Sequence, residues 1–182
     1  MKFLMTIDKK EVLDVLDYNP ETGDFRWKQQ QKAANFNKRF IGAVAGTVSV
    51  HGYVQIKINN RRYMAHRLAW LVTHGKWPDD HIDHINGITT DNRICNLRSV
   101  SCIVNQQNRT HTNEKLQTTS KYLGVSWNKA LEKWHSQIKV NGKKVHLGDF
   151  DLEIEARDVY LAVKAQLHPG FVPERFPQNK LV

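Results

Sequence analysis

Residues 81–109 read HIDHINGITTDNRICNLRSVSCIVNQQNR, and the rest of the chain is organised around this stretch. Asp83-His84 close a short extended segment. A polar loop comes next, with Gly87 and Asp91-Asn92 as turn formers. Asn96-Leu97-Arg98 resumes extended structure, and Ser101 is placed to N-cap a short helix carrying Asn105. A carboxylate, a neighbouring imidazole and an amide oxygen brought together form a workable metal-hydrolase set. The hard oxygens of Asp83 and Asn105 suit Mg²⁺ or Mn²⁺. His84 titrates near neutrality and can take a proton from water. Spacing alone does not assign the role, because an Asp-His pair is more often a surface ion pair or a satisfied core histidine.

Upstream, residues 8–18 space Val12, Leu13, Val15 and Leu16 as a short amphipathic helix. Asn19 to Asp24 is dense turn chemistry leading into a strand at Phe25-Arg26-Trp27. Residues 28–40 are polar and basic and predict a loop. Residues 42–50 and 52–58 alternate as strands, with Val54, Ile56 and Ile58 on one face. Asn59-Asn60 predicts a hairpin turn into Arg61–Met64. His66 to His74 predicts a short helix ended by Gly75 and Pro78. Downstream, the polar residues 110–120 read as a linker, with the boundary drawn at 113–120. Beyond it lie strand-like stretches at 121–128, 133–140 and 143–149, the last two joined by the hairpin signal Asn141-Gly142. Residues 152–168 then predict a helix on Ala156, Val159, Tyr160, Val163 and Leu167.

Of the 182 residues, 40% are hydrophobic and 25% charged, a globular composition. No apolar run approaches the roughly 18 residues of a membrane span, so no membrane partner is expected. The apolar stretch in MKFLMTIDKK is too short for a signal-peptide core. Cys95 and Cys102 form neither a disulfide framework nor a CxxC pair. Together these predict a reduced, cytoplasmic chain. The net charge of +9 favours an acidic partner, nucleic acid first and an anionic membrane second. Residues 116–148 hold six lysines and one Glu, whereas residues 149–182 hold four basic and six acidic residues. This split predicts one face turned to a polyanion and another turned away.

Alternation sorts the three C-terminal strands into two faces. Val125, Trp127, Trp134, Ile138, Val140, Val145 and Leu147 share the face expected to bury against the helix. Ser126, Asn128, Lys133, His135, Gln137, Lys139, Lys144 and His146 share the other, which strict alternation leaves without an acid. Such a face suits the DNA major groove, where Lys reaches phosphates or guanine edges and Asn or Gln reads adenine.

The segments NPETGDFRW, GYVQIKINNRRYMAHRLAW, DHINGITTDNRICNLRSV and NQQNR, from Asn19 to Arg109, together resemble the HNH endonucleases, in particular the phage and intron-encoded homing type. The resemblance implies a ββα-metal fold gripping a scissile phosphate. It implies that His84 is the general base, that Asp83 and Asn105 hold the metal, Mg²⁺ (or Mn²⁺), and that Asn96 braces the loop and orients the His. The last position is His in many members and Asn here. Other residues take plainer readings: His81 is a third ligand or, more simply, a rim residue, and His66 packs or braces. Asn86, Asn92 and Asn108 read as loop and cap residues. Cys95, Cys102, His111 and His81 match no zinc spacing.

Residues 121–171 look like an AP2/ERF DNA-binding domain, on Gly124-Val125, Trp134, Ile138, Leu147-Gly148-x-Phe150 and Glu155-Ala156. In that family the sheet enters the major groove. The implied DNA-contacting positions are Ser126, Asn128, Gln137, Lys139, Lys144 and His146, with Lys133 on the same face. The expectation is an α+β chain in two domains. Residues 1–112 would be an HNH endonuclease domain with a strand-rich N-terminal extension, and residues 121–175 an AP2/ERF-like domain. The protein would be a monomer or weak dimer hydrolysing double-stranded DNA. A DNA-binding regulatory protein with an inactive HNH module is the alternative.

Overall fold

The computed structural model of the chain describes residues 7–29, 34–108 and 119–173. Among these the fold is mixed α/β, with small antiparallel sheets and five α-helices, and it divides into two units at Ser101/Cys102. The 113–120 linker expectation lies almost wholly outside the described residues.

The first unit starts with a capping box: Asp8 accepts from the Glu11 N–H at 2.8 Å, and Glu11 Oε2 accepts from the Asp8 N–H at 2.9 Å. Helix α1 (Lys9–Val15) buries Val12 and gives way to β1 (Leu16–Tyr18), so it is shorter than the spacing predicts. β1 pairs antiparallel with β2 (Phe25–Trp27). Helix α2 (Ala34–Phe40) stands within the stretch predicted as loop. Its sequence, ANFNKRF, has no apolar period to announce it. β3 (Thr47–Val48), β4 (Val54–Ile58) and β5 (Arg61–Met64) form an antiparallel sheet. Asn59 and Asn60 turn β4 into β5 with φ of +47° and +62°, the left-handed pair a tight hairpin needs. α3 (Ala65–His74) ends at Gly75, whose φ of +76° suits a left-handed cap. β6 (His81–His84) pairs antiparallel with β7 (Leu97–Val100), setting Asp83 opposite Arg98 and His84 opposite Leu97. Val12, Leu16, Phe25, Ile56, Leu68 and Leu71 centre the core.

The second unit begins with the short helix α4 (Cys102–Gln107). The order strand, strand, helix thus runs along the chain through β6, β7 and α4. β8 (Val125–Asn128), β9 (Lys133–Val140) and β10 (Lys143–Phe150) make a three-stranded antiparallel sheet in the order 10-9-8. α5 (Glu153–Leu167) packs on one face. Val125, Ser136, Ile138, Ala156 and Tyr160 are buried, and Ser136 donates to the Ala156 carbonyl at 2.9 Å. Val145, expected inside, is 43% exposed.

Candidate active site

Strand β6 carries Ile82, Asp83 and His84, all buried, while His81 is exposed. Alternation alone would alternate their burial. Here β6 is covered on both faces, so an ionisable pair sits where an apolar pair would be cheaper. Such a placement needs partners, and the structure supplies them. Arg98, opposite Asp83 on β7, donates from Nε and Nη2 to Asp83 Oδ2 at 3.0 and 2.9 Å. His84 Nε2 lies 3.2 Å from Asn92 Oδ1.

Asn92 fixes which nitrogen of His84 carries the proton. Its Nδ2 donates to the Thr90 carbonyl at 3.3 Å, so its Oδ1 faces the imidazole as an acceptor. His84 must then donate from Nε2, and the basic lone pair belongs to Nδ1. Tyr53 and His66 flank the ring, with centroids 6.0 and 5.1 Å away. His66 is buried, and its pKa is lowered to about 3 by desolvation first, then by His84 and Arg67. It is a neutral neighbour of His84 throughout the ordinary pH range.

The loop from residue 85 to 96 is held by its own amides. Asn96 Oδ1 accepts from the Asn86 N–H at 2.9 Å, and Asn96 Nδ2 donates to Asn86 Oδ1 at 3.0 Å and the Asp91 carbonyl at 2.8 Å. Asp91 accepts from Asn86 Nδ2 and from Arg93, whose hydrogen bonds lower its pKa to about 2. The N-terminal hairpin buttresses the same loop. Tyr18 Oη donates to the Asn92 carbonyl at 2.8 Å, and burial raises that phenol to about 12. Gly23 lies against the Asn92–Arg93 peptide: a Cβ there would stand 2.5 Å from the Arg93 nitrogen, and its φ is +79°. Only glycine allows that approach.

Asp83, His84 and Asn96 are therefore brought into one hairpin and its loop, within the first unit. Asn96 spans the loop as a brace, but the amide touching His84 is that of Asn92, which the sequence alone reads as a loop residue. Arg98 is likewise missing from the residues the sequence singles out. Its signal is nonetheless there: two strands closed by a loop starting after His84 and ending at Asn96 pair residue 83 with residue 98. Asn105 is half-buried on α4, in the second unit. Within the first unit Asp83 supplies a carboxylate, the donor type a hard divalent ion takes.

In the second unit, Ser126, Asn128, Lys133, Gln137, Lys139, Lys144 and His146 share the sheet face away from α5, by their register and alternation. The expectation that this face lacks an acid is corrected. The ladder slips between His146 and Gly148, so Asp149 pairs with His135 instead of alternating away. A bulge adds one residue to a strand and re-aims the side chains beyond it. Asp149 contacts His135 at 2.9 Å and His146 at 3.3 Å, while Lys133 pairs with Asp151 at 3.3 Å. Asn128 Oδ1 accepts from the Ala130 N–H at 3.0 Å, closing the β8–β9 turn.

A buried Asp-His pair, an imidazole held by an amide and an amide-braced loop thus lie together in the first unit. Residues 63–107, about a quarter of the chain, match the family model described as HNH endonuclease. No curated protein matches, and no solved structure matches. The matched span holds His66, Asp83, His84, Asn92, Asn96, Arg98 and Asn105. It supports nuclease activity with DNA as substrate, and HNH nucleases generally use a divalent metal ion. Among the described residues, no helix is long and apolar enough to cross a membrane.

Proposed function

We propose that this chain is a metal-dependent DNA endonuclease of the HNH type. The observation that carries the reading is the buried Asp83-His84 pair with His84 Nε2 held by Asn92, which makes Nδ1 the basic nitrogen. His84 Nδ1 takes a proton from water, and the resulting hydroxide attacks phosphorus in line with the leaving 3′ oxygen. The P–O3′ bond breaks as the new P–O bond forms, and the 3′ oxygen leaves protonated from solvent. Arg98 holds the Asp83 carboxylate in place. Asp83 and Asn105 would hold the ion, Mg²⁺ (or Mn²⁺), which when bound stabilises charge on the phosphate and leaving oxygen. Asn96 keeps the loop in the shape that presents Asn92.

Residues 1–112 form the cutting module in this reading. Residues 121–175 form an AP2/ERF-like positioning module, whose sheet face carries Ser126, Asn128, Lys133, Gln137, Lys139, Lys144 and His146 to double-stranded DNA. The homing type of phage and intron enzymes fits this pairing of modules, as does action in the cytoplasm of a bacterial or phage-infected cell. One His84 per chain cuts one strand at a time, so a monomer nicks and a double-strand break takes a dimer or two visits.

The bidentate grip of Arg98 on Asp83 favours one second reading, a DNA-binding regulator whose HNH module is inactive. Supercoiled plasmid incubated with and without Mg²⁺ separates the two. Wild type should convert plasmid to nicked or linear form only with the ion. His84→Ala should lower that rate by about 10²-fold or more while DNA binding persists. Cleavage within a few-fold of wild type removes His84 from this role; no cleavage by wild type leaves the regulator.

A further inference from the structure

Among the described residues, the group of His, Cys, Asp or Glu side chains able to surround one ion is not in the cleavage hairpin. It is His135, His146 and Asp149 on the sheet of the second unit, with one ligand atom from each lying within 4.8 Å of the others. We propose that these three residues form a second metal site, for a borderline divalent transition ion of the Zn²⁺ class, independent of the nuclease reading.

The backbone builds the cluster. His146 and Asp149 are three apart, and strict alternation would point them to opposite faces. The slip between His146 and Gly148 restores them to the same face and sets Asp149 directly opposite His135. Gly148 permits the slip with a φ of +137°, and a Cβ there would stand 2.9 Å from Phe150 Cζ. The bulge is thus specified by a residue no side chain can replace without strain. Its consequence is an acid in contact with two imidazoles, on a face that also carries Lys, Ser and amide side chains.

The donors already lie near coordination spacing. Asp149 Oδ1 is 2.9 Å from His135 Nδ1, and Asp149 Oδ2 is 3.3 Å from His146 Nε2. An ion about 2.0–2.2 Å from each of three donors needs them roughly 3.0–3.5 Å apart. The imidazoles are stacked, with centroids 4.4 Å apart and planes 19° from parallel. His135 and Asp149 are half-buried and firmly placed on paired strands, while the His146 side chain is 51% exposed and can rotate to close the third separation. Two imidazoles and one carboxylate select Zn²⁺, Co²⁺, Ni²⁺ or Cu²⁺ over Mg²⁺ and Ca²⁺, which take oxygen shells. Three protein ligands leave one position for water or another oxygen donor. The chain would then hold ions of opposite character, a hard one in the nuclease reading and a borderline one at the bulge.

The test uses the full chain in millimolar Mg²⁺, which occupies hard oxygen sites without competing for imidazole. Co²⁺ is titrated in and followed by its visible absorption, and Zn²⁺ is then added to displace it. Wild type should bind one equivalent of Co²⁺, lost to Zn²⁺, and His84→Ala should bind the same equivalent. His135→Gln and Asp149→Asn should each weaken binding at least tenfold. His146→Gln should do likewise, and at an exposed position it will not perturb folding. The proposal falls if wild type takes up no Co²⁺ under these conditions. It falls equally if His146→Gln binds as wild type does, or if His84→Ala removes the equivalent.

Discussion

His84 has one proton and one lone pair, and Asn92 decides which nitrogen has which. A carbonyl oxygen can only accept, so while Asn92 Oδ1 faces Nε2 the basic nitrogen is Nδ1. Asn92→Ala removes that constraint without touching the imidazole. Cleavage should fall about tenfold or more with DNA affinity kept, as for loss of a partner that orients a catalytic group. Unchanged plasmid nicking by Asn92→Ala would show that the tautomer is set elsewhere. His66 makes a different prediction. Its pKa stands near 3 in the folded chain, mainly through burial, against 6.5 when exposed. Between those values the unfolded chain binds a proton that the folded one refuses, so folding stability rises with pH across the window. That stability is whole above pH 6.5 and drains as pH falls toward 3, by on the order of 5 kcal/mol. Denaturant unfolding from pH 7 to 4 should show a shallower acid slope for His66→Gln than for wild type; equal slopes would mean His66 is not the sensor.

At the scale of elements, α5 buries the wrong residues by its apolar spacing. Ala156 and Tyr160 are buried as expected, but Arg157 and Lys164 join them, while Leu167 is 46% exposed. Long aliphatic stems can pack while their charged ends find aromatic faces. Arg157 lies 5.2 Å over Tyr122, and Lys164 lies 5.4 Å from Tyr160 and 5.7 Å from Phe171. Burial lowers Lys164 to about 8, against 10.5 when exposed. Over that interval the unfolded chain holds the extra proton, so stability increases from pH 8 to 10.5. Lys164→Met should therefore raise stability near pH 7 by on the order of 3 kcal/mol, less whatever its present contacts contribute, and flatten the alkaline rise. A lower melting temperature for this variant at pH 7 would mean that the cation is stabilising where it sits. The same element shows what a sequence discloses. Strands and hairpin turns are legible, because period and turn chemistry are local properties, and with them the gathering of Asp83, His84 and Asn96 in one hairpin and its loop; their roles come only from the resemblance. The Arg98–Asp83 pair, the Asn92 contact, the burial of Lys164 and the arrival of Asp149 on the sheet face are not. Each depends on register or on a bulge, which set partners across the chain and not along it.

For the whole molecule, charge is the property that reaches farthest. The excess of +9 contains a strongly basic block over residues 116–148 and an acidic one after it. In the second unit Lys133, Lys139 and Lys144 lie on one side of the sheet and the acids of α5 on the other, while the bulge brings Asp149 to the basic face. Lys139 and Lys144 sit directly across from each other between β9 and β10, both exposed, while α5 carries exposed Glu155 and Asp158 on the other side. Like charges facing one another across strands repel, and a phosphate between them relieves that repulsion. Asp149 tempers this face near its bulged end, so the basic potential concentrates toward the Asn141-Gly142 turn. Lys139→Ala and Lys144→Ala should each weaken binding to every duplex and shrink the log–log salt slope by roughly one unit. Gln137 lies beside them but can meet a base edge, so Gln137→Ala should cost about 1–3 kcal/mol at one base position and leave the slope alone. Glu155→Lys, on the helix side, should change neither preference nor slope. Binding to a selected duplex and to its scrambled counterpart, measured across a salt series, separates these outcomes. If Glu155→Lys alters sequence preference while Lys139→Ala and Lys144→Ala leave the slope intact, DNA lies against α5 and the sheet face serves something other than the duplex.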